Sequence, residues 1–165
     1  MIIENGILKE CKRLEKDITE MRNDEYHGPY EGGDVEIPLG VETVGGDMRH
    51  EDYDRFDHNF FYPAFIYNRR LLSVKFAESV TIIGAKAFEH CSNLHTVSFP
   101  KGLKRIEISA FLGCSSLTDI HFPESIEYID EWAFAFCPKL VVHCHKKTVA
   151  EQYAKDNNIP LVYED

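Results

Sequence analysis

Three cysteines stand at a fixed interval: AFEHC at 87–91, AFLGC at 110–114 and AFAFC at 133–137, each 23 residues after the last. A thiol recurring this regularly has three chemical uses: a metal ladder, a disulfide framework or a packing position. Zinc is usually held by pairs such as C-x-x-C converging from one loop, and none of these loops carries such a pair. Disulfides fare no better. Side chains stacked one strand apart, about 4.8 Å, point in parallel, and three thiols cannot all pair. Cysteine is also a small, commonly buried residue, and core packing is the reading adopted for Cys91, Cys114 and Cys137.

Other residues of metal-ligating type fail on geometry or pattern. Cys137, His143, Cys144 and His145 are close in sequence, but neighbours on a strand point to opposite faces, so at most two of 143–145 can share a site. LVVHC reads instead as a strand with Leu140, Val142 and Cys144 inward and the histidines at the surface. His50 and His58 lie among Glu51, Asp52, Asp54 and Asp57. There D-Y-D-R-F-D lacks the glycine and distal glutamate of an EF-hand loop. No G-x-S-x-G, phosphate-binding or dinucleotide-binding glycine motif occurs. His90 beside Cys91 fills a slot held by Gly113 and Phe136 in the other copies, which argues against a thiol–imidazole dyad. We therefore expect no catalytic residue, no metal and no cofactor, and a chain that is not an enzyme.

The elements that carry these residues follow from the same interval. Phe88, Phe111 and Phe134 align, as do Leu94, Leu117 and Leu140, then Val97 with Ile120 and Phe99 with Phe122. Val80, Leu103 and Ile126 fall into register, followed by Ile83, Ile106 and Ile129. Earlier, Phe65 and Leu71-x-x-Val74-x-Phe76 keep the frame, with Asn68 in the cysteine slot. VEIPLGVETVG at 35–45 supplies one more partial copy. Phe65 follows Gly45 by 20 positions where Phe88 follows Gly84 by four, which marks an insertion within 46–62. A period of 20–29 residues carrying L-x-x-V-x-F is the signature of a leucine-rich-repeat solenoid. In that motif Val97 and Phe99 share one strand face while Thr96 and Ser98 take the other.

Composition sets the outer bounds. With 165 residues, 44% of them hydrophobic, the chain can bury a sizeable core as one domain. The net charge of −10 is uneven: residues 24–63 hold 11 acids against Arg49 and Arg55, while the remainder nearly balances. Proteins that grip nucleic acid neutralise phosphates with lysine and arginine, so no nucleic-acid partner is expected. No stretch approaches 18 apolar residues, and MIIENG does not resemble a signal peptide, so no membrane partner is expected either. Five cysteines, an odd number, fit free thiols in a reducing compartment. That points to the cytoplasm; a fragment of a larger bacterial surface protein is the alternative.

With these residues in place, the chain resembles the BspA-like leucine-rich repeats, whose pattern is close to P-x-x-[LI]-x-x-I-G-x-x-A-F-x-x-C-x-x-L-x-x-[VI]-x-[FI]. The match runs over about 35–145 and is most specific over 77–144. The resemblance implies a mostly β solenoid of about four coils with a parallel ladder. It also implies an N-terminal hairpin cap, for which MIIENGILKEC is the candidate, and a C-terminal helix–strand cap. In TVAEQYAKDNNIPLVYED, Thr148 and Glu151 form a capping box for a short helix over about 148–157, and 159–163 reads as the closing strand. The expected layout is a single domain over 1–165. Within it lie the cap and connection at 1–34, a first coil at 35–76, regular coils at 77–99, 100–122 and 123–145, and the C-terminal cap at 146–165. Leu14, Ile18 and Met21 would share a face if 12–34 holds a helix.

The resemblance further implies recognition of proteins, since secreted members act as surface adhesins. The residues expected to meet an unknown protein partner are the outward strand positions Lys75, Thr96, Ser98, Asp119 and His121, together with Tyr53, Phe56 and Asp57 of the insertion. Aromatics dominate binding hot spots, which is why Tyr53 and Phe56 are singled out. The chain is expected as a monomer or weak oligomer. One rival is an acidic inhibitor or immunity protein masking a basic, nucleic-acid-handling target; another is a small metal-dependent or thiol enzyme.

Overall fold

A computed structural model describes residues 2–4, 7–10, 33–45 and 65–165. The expected insertion, the suggested helix within 12–34 and Cys11 lie outside the described residues. The chain opens with β1 (Ile2–Glu4) and β2 (Ile7–Glu10). Coil by coil, a longer strand is then followed by a two-residue one: β3 (Gly33–Ile37) and β4 (Thr43–Val44), then β5 (Leu71–Phe76) and β6 (Ile82–Ile83). Next come β7 (Thr96–Ser98) and β8 (Arg105–Ile106), then β9 (Asp119–His121) and β10 (Tyr128–Ile129). The chain closes with β11 (Val141–Cys144), α1 (Val149–Asp156) and β12 (Leu161–Tyr163).

The three-residue spacing of the motif is the spacing of its turns. Amide N–H groups of Val41, Leu103 and Ile126 donate to the carbonyls of Pro38, Pro100 and Pro123, so each P-x-x-[VLI] is a closed turn. Cys91, Cys114 and Leu94, Leu117 repeat the device, each donating to the residue three before it (Phe88, Phe111, Cys91 and Cys114). These turns bring each recurring position to the inside and leave the x-x spacers toward the outside. Stacking follows. β3, β5 and β7 pair in parallel with Val35, Val74 and Val97 aligned, and β9, β11 and β12 pair in parallel with Ile120, Val142 and Leu161 aligned. On the other side of the core, β4, β6, β8 and β10 form a second parallel ladder, with Val44, Ile83, Ile106 and Ile129 in line.

Both ends are covered as a solenoid requires. The N-terminal hairpin β1–β2 is antiparallel, and β2 runs parallel to β4, extending the second ladder by two strands. At the other end α1 is capped by Thr148, whose Oγ1 accepts from the Glu151 N–H at 3.3 Å. The Glu151 carboxylate reaches back to the Lys147 N–H rather than to that of Thr148, so the box closes one residue earlier than its usual form. Tyr153, buried on the inner face of α1, meets Phe134 edge-on at 6.0 Å.

Between the ladders runs an aromatic spine. Phe65, Phe88, Phe111 and Phe134 stack nearly parallel, with centroids 5.0, 5.1 and 5.0 Å apart. Phe76, Phe99 and Phe122 meet Phe88, Phe111 and Phe134 edge-on at 5.8, 6.0 and 5.9 Å. Offset-parallel and edge-on contacts are the two arrangements the ring quadrupole favours.

Candidate functional site

Cys91, Cys114 and Cys137 serve that spine and not a reactive site. Cys91, Cys114 and Cys137 donate their thiols to the carbonyls of Phe65, Phe88 and Phe111 at 2.9, 3.2 and 3.2 Å. Each thiol thus links its coil to the one before. All four cysteines among the described residues are free. Burial pushes the Cys91 and Cys137 thiols up to about 12, and desolvation holds Cys114 well above its usual range as well. A nucleophilic cysteine needs the opposite shift, toward thiolate. His90, next to Cys91, stacks on Tyr67 at 4.9 Å instead of engaging the thiol.

The outward strand positions do come together. Lys75 on β5, Thr96 and Ser98 on β7, and Asp119 and His121 on β9 are exposed and stand on the face opposite the core. Register pairs Ser73 with Thr96 and Lys75 with Ser98. β9 lies beside β7, where the Thr118 N–H donates to the His95 carbonyl at 3.4 Å. The strip is not uniform. At one end Ser73 donates to Asp34, and Lys75 pairs with Glu36 at 3.0 Å. At the other, His143 meets Asp119 at 2.9 Å, and this hydrogen bond is the main reason the Asp119 carboxyl is held below its ordinary range. Among the described residues, the hydroxyls of Thr96 and Ser98 between these ends have no side-chain partner. Tyr53, Phe56 and Asp57 lie outside the described residues, so the structure does not relate them to this strip.

The far end of the strip holds a constellation that sequence reading missed. His121 and His143 are register partners on β9 and β11, with ring centroids 4.3 Å apart and planes 25° from parallel. Glu164, just past β12, is hydrogen-bonded to Nδ1 of His121. The signal was present but offset. The last coil is one residue short, so His143 pairs with a residue 22 positions earlier and not 23. His145 turns elsewhere and approaches Glu124 at 3.6 Å.

Among the described residues no helix is long and apolar enough to cross a membrane. The family model for BspA type leucine rich repeat regions matches residues 60–154 with six copies. No match is found among curated proteins. A solved structure of a leucine rich cell surface protein from Faecalibacterium prausnitzii is 26% identical, with a TM-score of 0.58 over 80% of this chain and 32% of its own. A leucine rich repeat protein of T. pallidum is 24% identical, with a TM-score of 0.48 over 71% of this chain and 61% of its own. The chain thus spans about a third of the Faecalibacterium protein and about three-fifths of the T. pallidum one. Its 23-residue period, its phenylalanine spine and a family match over more than half its length make the chain a member of the BspA type leucine rich repeat family.

Proposed function

We propose that the chain is a non-enzymatic protein-binding module that meets its partner through the outward face of β5, β7 and β9 together with Tyr53, Phe56 and Asp57 of the insertion. The observation that carries this reading is the unpartnered pair Thr96 and Ser98, set between ionic rows at either end of the strip. Short hydroxyl side chains leave their own donors and acceptors open to a partner, while the flanking charges fix its orientation. Family membership supports protein recognition in general, and fold alone names no partner. The Faecalibacterium relative is a cell surface protein, which favours display outside the cell. Free thiols do not oppose this, because thiols as buried as Cys91 and Cys114 resist oxidation in any compartment.

The test compares affinity capture from the source cells by the wild-type chain and by a Thr96→Arg, Ser98→Arg double variant. Both positions are exposed, so folding should be unchanged by circular dichroism. A partner retained by the wild type should be lost with the double variant; retention at full yield would place the site elsewhere. Replacing 47–60 by a Gly/Ser linker asks the same question of the insertion. Recovery of a basic, nucleic-acid-handling protein would favour the acidic inhibitor instead.

A further inference from the structure

We propose that His121, His143 and Glu164 form a binding site for a divalent transition metal of the zinc class, which ties the C-terminal strand to the last two coils. One ligand atom from each of the three residues lies within 4.8 Å of the others. In a tetrahedral zinc site with bonds of about 2.1 Å, ligand atoms sit about 3.4 Å apart. Closing that difference takes only side-chain rotation, and His121, with 62% of its side chain exposed, has room to turn.

The backbone under the site is fixed. His121 and His143 are paired across β9 and β11, and the Glu164 N–H donates to the Cys144 carbonyl at 3.0 Å. Two imidazoles and one carboxylate are the donor set of a borderline cation, not of calcium or magnesium, which take oxygen ligands. Sulfur is excluded from the site because Cys144 points into the core. Asp119, hydrogen-bonded to Nε2 of His143, is a positioning residue that orients the ring, as carboxylates commonly do for metal-bound histidines. The arrangement also explains why two histidine rings lie face to face beside two carboxylates. A cation held by both rings and Glu164 balances the two acids. The site rests on this geometry alone and stands whether or not the strip binds a protein.

The experiment is calorimetric titration of the full, reduced and EDTA-stripped chain with zinc chloride, followed by cobalt(II) spectroscopy. The expected result is one equivalent of zinc, with affinity falling at least tenfold in His121→Ala, in His143→Ala and in Glu164→Gln. Asp119→Asn should lower it about tenfold. Cobalt should give d–d bands without a thiolate charge-transfer band. Thermal melts of each stripped variant check that the fold is kept, and His143→Gln replaces His143→Ala should the latter fail to fold. Three results would overturn the proposal: no stoichiometric uptake, uptake unchanged in the His121→Ala, His143→Ala double variant, or a thiolate band.

Discussion

Phe111→Ala is the most direct test of the spine. Phe111 is fully buried, parallel to Phe88 at 5.1 Å and to Phe134 at 5.0 Å, with Phe99 edge-on at 6.0 Å. Truncating a core phenylalanine costs about 3–5 kcal/mol in lost transfer energy and residual cavity. Each aromatic contact adds about 0.5–1.5 kcal/mol beyond buried area, and Phe111 loses three of them. The neighbours cannot collapse into the gap, because turn hydrogen bonds and Cys114 and Cys137 thiols hold the phenylalanine backbone of each coil in place. The loss should therefore fall near the upper end, about 5 kcal/mol. For a domain of this size each kcal/mol moves Tm by about 2–4 °C, so the expected fall is about 10–20 °C. Urea unfolding followed by circular dichroism gives the free energy, provided the transition is two-state. A double-mutant cycle of Phe88→Leu with Phe111→Leu should show coupling of about 0.5–1.5 kcal/mol. Additive losses within about 0.3 kcal/mol, or a Phe111→Ala variant melting within a few degrees of wild type, would refute the stacked-spine account.

Cys91, Cys114 and Cys137 should stay unreactive toward a thiol reagent at pH 9 in the folded chain and react fully in denaturant, since burial pushes Cys91 and Cys137 up to about 12; a fast-reacting folded thiol among the three contradicts this. Gly113→Ala should destabilise by about 1–3 kcal/mol, because φ there is +74° and a Cβ would lie 2.5 Å from Nδ1 of His90. His90→Ala should restore the part due to the clash but not the part due to φ, as thermal melts of the single and double variants would show. Glu151 should make the C-terminal cap acid-sensitive. Its hydrogen bond to Lys155, with those to Tyr163 and the Lys147 amide, lowers its carboxyl from an ordinary 4.5 to about 2. A depressed folded value means the contribution is complete above pH 4.5 and is lost as pH falls toward 2. Tm measured across that window should drop more steeply for wild type than for Glu151→Gln.

The fold was legible because every coil states it again. Phe88, Phe111 and Phe134 at one spacing, with Leu and Val at fixed offsets, leave few ways to turn the chain, and Thr148 with Glu151 marked the closing helix in the same way. Outward positions such as Thr96, Ser98 and His121 followed from strand parity alone. The thiol's second use was not legible. Packing predicts a small buried residue at 91, 114 and 137, but that each Sγ–H donates to a carbonyl one coil back depends on the turn geometry. Nor does a pattern reveal that the residue before the cysteine slot is left-handed, at φ of 58° in Tyr67 (before Asn68), His90 and Phe136. The His121–His143 pair was hidden by the fixed period itself. At a 23-residue offset His143 falls opposite Ile120; only the inward alternation of Leu140, Val142 and Cys144 reveals that the last strand has slipped by one.

In a solenoid, each coil is held by its two neighbours and by little else, so the two faces of its strands answer to different constraints. The inward residues barely change along the ladder: Val35 and Ile37, Val74 and Phe76, Val97 and Phe99, Ile120 and Phe122. The outward residues on the same strands change in every row, from Asp34 and Glu36 through Ser73 and Lys75 to Thr96 and Ser98, then Asp119 and His121. Packing demands nothing of the second set, because a side chain on that face can be exchanged without moving the Phe spine or the turns. Where the repeat departs from itself, its chemistry is therefore free of the core. The one-residue shortening before β11 belongs in this class. It costs the ladder no buried contact, since Val142 takes the place opposite Ile120. What it changes is the outward row, where it sets His143 against His121.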